Sequence, residues 1–220
     1  MMLSERLEQL RTELPANVKL LAVSKFQPLE KLMEAYQCGQ RCFGENRPQE
    51  LSLKAVQMPQ DVEWHFIGHL QTNKLKMVLP YAALVESVDS LHLLEAINEW
   101  GDLHDKVIPV LLEIHIGAEE TKQGFYEEEV LDILFDTDKY PHIRFCGLMG
   151  MASHTEDEEL IRADFTRISS FRDYLRDLFP ELTDFTELSI GMSGDWRIAV
   201  ECGSTEVRIG SAIFGARESL

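Results

Sequence analysis

Apolar residues along this chain gather in short runs, and nearly every run gives way to a stretch in which apolar positions recur at three- and four-residue spacing. That alternation predicts parallel strands joined by crossover helices. Eight runs read as strands: 18–24, 42–45, 63–68, 83–88, 107–116, 143–151, 185–190 and 206–209. Helical patterns between them include 29–38, 91–100, 127–135 and the long 158–179. The first fourteen residues carry charges throughout and place Leu3, Leu7, Leu10 and Leu14 on one face, which predicts an extra amphipathic helix before the first strand. Eight strand and helix units predict a (β/α)8 barrel; an open doubly wound sheet with added strands would show the same alternation. No repeat or Pro/Ser-rich linker divides the chain, so residues 1–220 are expected to form one domain.

Composition narrows the function classes. The 220 residues carry 21 basic and 38 acidic side chains, a net charge of −17, so an extended phosphate backbone is repelled and nucleic acid is not an expected partner. A small anion is still acceptable, because a few backbone N–H groups and one or two cations make a local positive site. The acidic stretches 119–120, 127–129 and 156–159 fall in loops or at helix starts, where they suit the helix dipole as solvated surface. Cys38, Cys42, Cys146 and Cys202 form no C-x-x-C pair and have no zinc-site spacing to histidine, so free thiols, a cytoplasmic setting and no metal are expected. No apolar run is long enough to span a bilayer.

The candidate chemistry sits where strands end. Lys25 closes the first apolar strand, LLAVSK, and Pro28 opens the next helix, so in a barrel this lysine reaches the C-terminal mouth where active sites form. Removed from water, its ammonium loses protons more readily and yields an amine able to attack an aldehyde. A solvated surface lysine is the ordinary alternative. Near the other end, 189–195 (SIGMSGD) and 208–215 (RIGSAIFG) follow strands seven and eight, where such barrels frequently hold a phosphate. Glycine lets backbone N–H groups approach an oxyanion, and serine adds donors. Arg208 lies within strand eight and needs an acceptor: a carboxylate such as Glu201 or Glu206, or a pyridine nitrogen. An arginine there would donate without surrendering its proton, leaving the ring a weak electron sink. Alternation puts Trp64 and Phe66 on one strand face and His65 and Ile67 on the other, so His65 is either a core histidine or a catalytic one. Asn46 ends the second strand as a polar contact for a ring substituent.

The segments AVSK (22–25), FGEN (43–46), WHFIGHLQTNK (64–74), GLMGM (147–151), SIGMSGD (189–195) and VRIGSAIFGAR (207–217) together resemble the pyridoxal phosphate homeostasis protein family, in order and across nearly the whole chain. That family looks like the N-terminal barrel of alanine racemase standing alone. The resemblance implies pyridoxal 5'-phosphate as cofactor, with Lys25 as the lysine that forms the internal aldimine and Asn46 beside the ring. It places Ser193, Gly210 and Ser211 at the phosphate, with Ser189, Gly191 and Met192 in the same loop, and Arg208 facing the pyridine nitrogen. Lys122 is a second, weaker candidate contact for cofactor or a regulator. Departures from the family pattern are Arg47-Pro48 after FGEN, Trp196 after the glycine and serine turn, and His115 where asparagine is usual; Arg47 and Trp196 are expected to alter the pocket rim.

A racemase needs acid/base groups on both faces of the cofactor, and the resemblance to alanine racemase offers no second one here, since the chain stops three residues after Arg217. The expectation is a single-chain monomer that binds the cofactor, acts in vitamin B6 homeostasis and supplies transient partners, the apo-enzymes that use it. The alternatives are a weak amino-acid racemase using His65 or Tyr81 as second base, and a Schiff-base aldolase acting on a sugar phosphate.

Overall fold

The computed structural model describes residues 2–116 and 123–215. The strands are β1 (Lys19–Val23), β2 (Cys42–Glu45), β3 (Glu63–Phe66), β4 (Ala82–Val88), β5 (Ile108–Ile114), β6 (Ile143–Gly150), β7 (Glu187–Met192) and β8 (Glu206–Ile209). All neighbours are parallel, and β1 pairs with both β2 and β8, which closes the barrel in sequence order. Alternating with them are α1 (Leu3–Glu13), α2 (Leu29–Gln37), α3 (Pro48–Ala55), α4 (Leu75–Val78), α5 (Leu91–His104), α6 (Glu127–Phe135), α7 (Glu158–Leu178), α8 (Trp196–Glu201) and α9 (Ser211–Phe214).

Because every strand is covered on both faces, the strands read as continuous apolar runs. Outward positions such as Ala22, Phe43, Trp64, Phe66, Val110, Leu112, Leu188 and Val207 join the helices in one large core. Inward, Leu84, Leu111 and Met149 make a separate small cluster, and the rest of the interior combines Leu21 with the buried polar side chains His65, Glu86, Ser189, Glu206 and Arg208. The last helix, α9, has four residues and is too short to cover its share of the barrel wall. Helix α1 packs against α2 and α9 and lays Leu3, Leu7 and Leu10 over that gap, so the extra N-terminal helix completes the outer ring.

Helix starts follow local chemistry. Ser90 caps α5 by accepting from the Leu93 N–H, Asp157 caps α7 through the N–H groups of Glu159 and Leu160, and Pro48 opens α3. Strand ends differ from the sequence reading by one or two residues where apolar character and pairing part company. Val107 is exposed and unpaired, whereas β7 starts at Glu187 and runs on through Gly191 to Met192. The short helices α3, α4, α8 and α9 lacked enough turns to show a period in sequence. The four cysteines are free. Among the described residues no helix is long and apolar enough to cross a membrane.

Candidate functional site at the barrel mouth

A cavity of about 310 Å³ opens at the C-terminal ends of β1, β2, β7 and β8. Lys25 enters it from the turn after β1, in which the Gln27 N–H donates to the Ser24 carbonyl at 3.0 Å. Phe26, next in the turn, has φ +62°. Asn46 follows β2 and also lines the cavity; its Oδ1 is buried and accepts no hydrogen bond from the described residues. Glycine at 68 makes that placement possible, since a Cβ there would lie 2.2 Å from the Asn46 carbonyl oxygen.

The opposite wall comes from the two glycine and serine loops. Met192, Ser193, Gly210 and Ser211 line the cavity, and the Gly210 N–H donates to Ser193 Oγ at 3.2 Å, tying the loops after β7 and β8 together. A Cβ at Gly194 would meet nothing within 4 Å, so this wall leaves room for a ligand. Two of the residues expected here lie behind the wall instead. Gly191 has φ +95°, and a Cβ on it would sit 2.5 Å from that of Ala199, so it allows α8 to pack against β7. Ser189 is fully buried beneath Arg208.

Arg208 lines the cavity, and its guanidinium pairs directly with neither Glu201 nor Glu206. One terminal nitrogen donates to the Ser189 carbonyl at 2.6 Å and to Ser189 Oγ at 2.8 Å, and the other donates to the Gly150 carbonyl at 2.8 Å. Glu201 pairs with Arg162 on the surface. Glu206 belongs to a cluster inside the barrel that reaches Arg208 through Ser189. Ser189 Oγ lies 2.6 Å from Glu86 and 3.1 Å from Glu206, and His65 Nδ1 lies 2.6 Å from Glu86 and 3.3 Å from Glu206. Both carboxylates are buried and cannot ionise together cheaply. Against its desolvation, Glu86 is held down to about 2 by the bond to and charge of His65 and by the charge of Arg208. Glu206 is pushed up to about 7 by burial and by the charge of Glu86. Burial pulls His65 down, but Glu206 and then Cys42 hold it well above the usual imidazole range.

His65 is therefore an interior residue that does not line the cavity, and Tyr81 precedes β4 at the far end of the barrel. Neither stands where a second base would act. Sequence spacing also hid that Cys42, His65 and Glu206 place ligand atoms within 4.8 Å of one another. Glu113, on β5, is 6% exposed, and burial followed by the Asp89 charge pushes it up to about 7. Arg47 stands on the rim with its guanidinium 4.4 Å over the Phe26 ring, whereas Trp196 is buried at the start of α8. His115 lies beside the Tyr126 ring at 5.5 Å. Lys122 and Arg217 lie outside the described residues.

The family model for the alanine racemase N-terminal domain matches residues 2–218. A pyridoxal phosphate homeostasis protein of Pasteurella multocida is 40% identical over 204 residues, covering 91% of this chain and 87% of that one. The chain belongs to this family. A human family member is 38% identical over 232 residues, covering 98% of this chain and 84% of its own. A solved structure of PipY from Synechococcus elongatus, with pyridoxal phosphate bound, superposes with a TM-score of 0.90 at 34% identity, covering 97% of this chain and all of that one. The shared family fold is thus the closed barrel described above.

Proposed function

We propose that this chain binds pyridoxal 5'-phosphate in the mouth cavity as a Schiff base on Lys25, acts in vitamin B6 homeostasis, and supplies the cofactor to apo-enzymes. The observation that carries the reading is the convergence of Lys25, Asn46, Arg208, Ser193, Gly210 and Ser211 on one cavity. The residues fit the group. The cofactor supplies an aldehyde that condenses with a primary amine with loss of water.

Lys25 presents that amine from the β1 side. Asn46 Oδ1, buried without a donor among the described residues, would accept from a ring hydroxyl. The loops after β7 and β8 offer N–H groups and hydroxyls to a phosphate. Arg208 would donate toward a ring nitrogen and keep its own proton, which would hold the ring without strong activation. Its clamp of two carbonyls and one hydroxyl keeps the guanidinium in place. With His65 sealed in the interior and Tyr81 at the far end, neither candidate second base supports racemisation.

The test is the visible spectrum of the purified protein with added pyridoxal phosphate, then borohydride reduction and peptide mapping. A yellow band with the reduced adduct on Lys25 is expected. An adduct scattered over surface lysines sinks the assignment, and rapid α-proton exchange from alanine in deuterated water sinks the non-enzymatic reading. Transfer of bound cofactor to an apo-enzyme, read as regained activity of the recipient, tests the supply role.

A further inference from the structure

The turn that carries Lys25 rests on three side chains to which the proposed function gives no task. Glu45 ends β2, while Glu50 and Lys54 lie one helical turn apart on α3. Lysine is seldom buried, yet Lys54 is only 8% exposed. Its ammonium donates to Glu45 Oε1 at 2.7 Å, Glu50 Oε2 at 2.8 Å and the Ser24 carbonyl at 2.9 Å, which uses its three protons. Glu45 Oε1 also accepts from the Ser24 hydroxyl at 2.6 Å, and Glu50 Oε2 accepts from the Phe26 N–H at 2.8 Å.

Both chain neighbours of Lys25 are therefore held, Ser24 by its hydroxyl and carbonyl and Phe26 by its N–H. Phe26 is in the left-handed region, which a side chain with a Cβ adopts only when its surroundings impose it. The Glu50 bond and the Arg47 guanidinium over the ring are such surroundings. Stability alone is a poor account of the cluster, because desolvating buried ion pairs offsets much of their attraction. Conformational specificity is the better one.

We infer that Glu45, Glu50 and Lys54 are positioning residues for Lys25, fixing its turn from both sides so that the side chain enters the cavity in one orientation. The inference rests on Lys25 being the reactive amine of the proposed function. A loose turn would leave the lysine present but misaligned, and misplacement on the ångström scale lowers reaction rates steeply.

Two variants of the full chain separate a hydrogen bond from a charge. Glu50→Ala removes the acceptor of the Phe26 N–H, and Glu50→Gln keeps an acceptor oxygen while removing the charge. The readouts are the rate at which the visible band develops on adding pyridoxal phosphate, and competitive acetic anhydride labelling of Lys25 across pH in cofactor-free protein, both well below the lowest Tm. Glu50→Ala is expected to slow band formation about tenfold and to alter Lys25 labelling, with Glu50→Gln restoring both to within about twofold of the parent. Equal rates in parent and Glu50→Ala overturn the inference, as does a Glu50→Gln protein as slow as Glu50→Ala. If the parent itself gains no adduct on Lys25, the proposed function fails, while the labelling comparison, which needs no cofactor, still decides the positioning.

Discussion

Among the described residues two cationic side chains line the cavity, and each rests on a pair of glutamates with one further cationic or basic side chain. Under Lys25 the set is Glu45, Glu50 and Lys54; under Arg208 it is Glu86, Glu206 and His65, reached through Ser189. The sets differ in what they grip. The first bonds to the residues on either side of Lys25, and the second holds the guanidinium head of Arg208 through Ser189. In the proposed function, an amine that forms and breaks a covalent bond is positioned through the residues on either side of it. A cation that must stay in place is positioned through its own donors.

The largest contrast is expected between the cations themselves. Lys25→Ala should abolish borohydride-fixable cofactor yet shift stability by no more than about 1 kcal/mol, since the cluster beneath it keeps its bonds to Ser24 and Phe26. Thermal denaturation of cofactor-free protein together with adduct mapping checks both halves; a collapse of Tm would break the comparison. Arg208→Met should instead destabilise the cofactor-free protein by about 3 kcal/mol or more, because it strips two carbonyls and the Ser189 hydroxyl of their donor and removes a positive charge that helps hold Glu86 ionised. Denaturant unfolding measures it, and a stable Arg208→Met protein would show that the guanidinium is held for the ligand alone.

The interior charges also set a pH dependence. Glu113 has an ordinary value of 4.5 and a folded value of about 7, so between those pH values the folded state holds more protons than the unfolded one. Its contribution to stability is present below 4.5, is lost as pH rises to 7, and is flat above; Glu206 acts in the same direction. A shift of this size corresponds to about 3 kcal/mol. Glu113→Gln should flatten the decline of Tm between pH 5 and 8 without removing it, because Glu206 remains. An unchanged slope would mean that Glu113 ionises freely at the mouth.

The smallest effect is expected for Ser189→Ala, at about 1–2 kcal/mol, because the Ser189 carbonyl still binds Arg208 after the hydroxyl that joins it to Glu86 is gone. Weaker retention of pyridoxal phosphate in this variant, measured by dialysis, would show that the interior cluster is felt at the cavity.

The parts of the site legible in sequence are those that follow directly from strand ends. Lys25 and Asn46 close apolar runs, and 193 and 210–211 sit in glycine turns after two more, so closing the barrel brings them to one mouth. Gly191 and Ser189 share those segments but face elsewhere: Ser189 points into the barrel interior toward Glu86 and Glu206, and Gly191, at φ +95° where the β7–β8 register shifts, faces α8. The partners of Arg208 were not legible, since the carbonyls of Ser189 and Gly150 become neighbours only through the order and register of β6, β7 and β8.

By itself, then, the order of apolar runs and helical periods determined eight strand and helix units, and strand endings determined which residues could meet at one mouth; the pairing of β1 with β8 decided for a closed barrel over an open sheet. Tertiary structure alone decided the two buried glutamate clusters. Glu45 and Lys54 are nine residues apart, and Glu86 and Ser189 are 103 apart. In sequence each is an ordinary charged or polar residue; only closure of the barrel removes them from water together, and burial is what compels them to bond to one another.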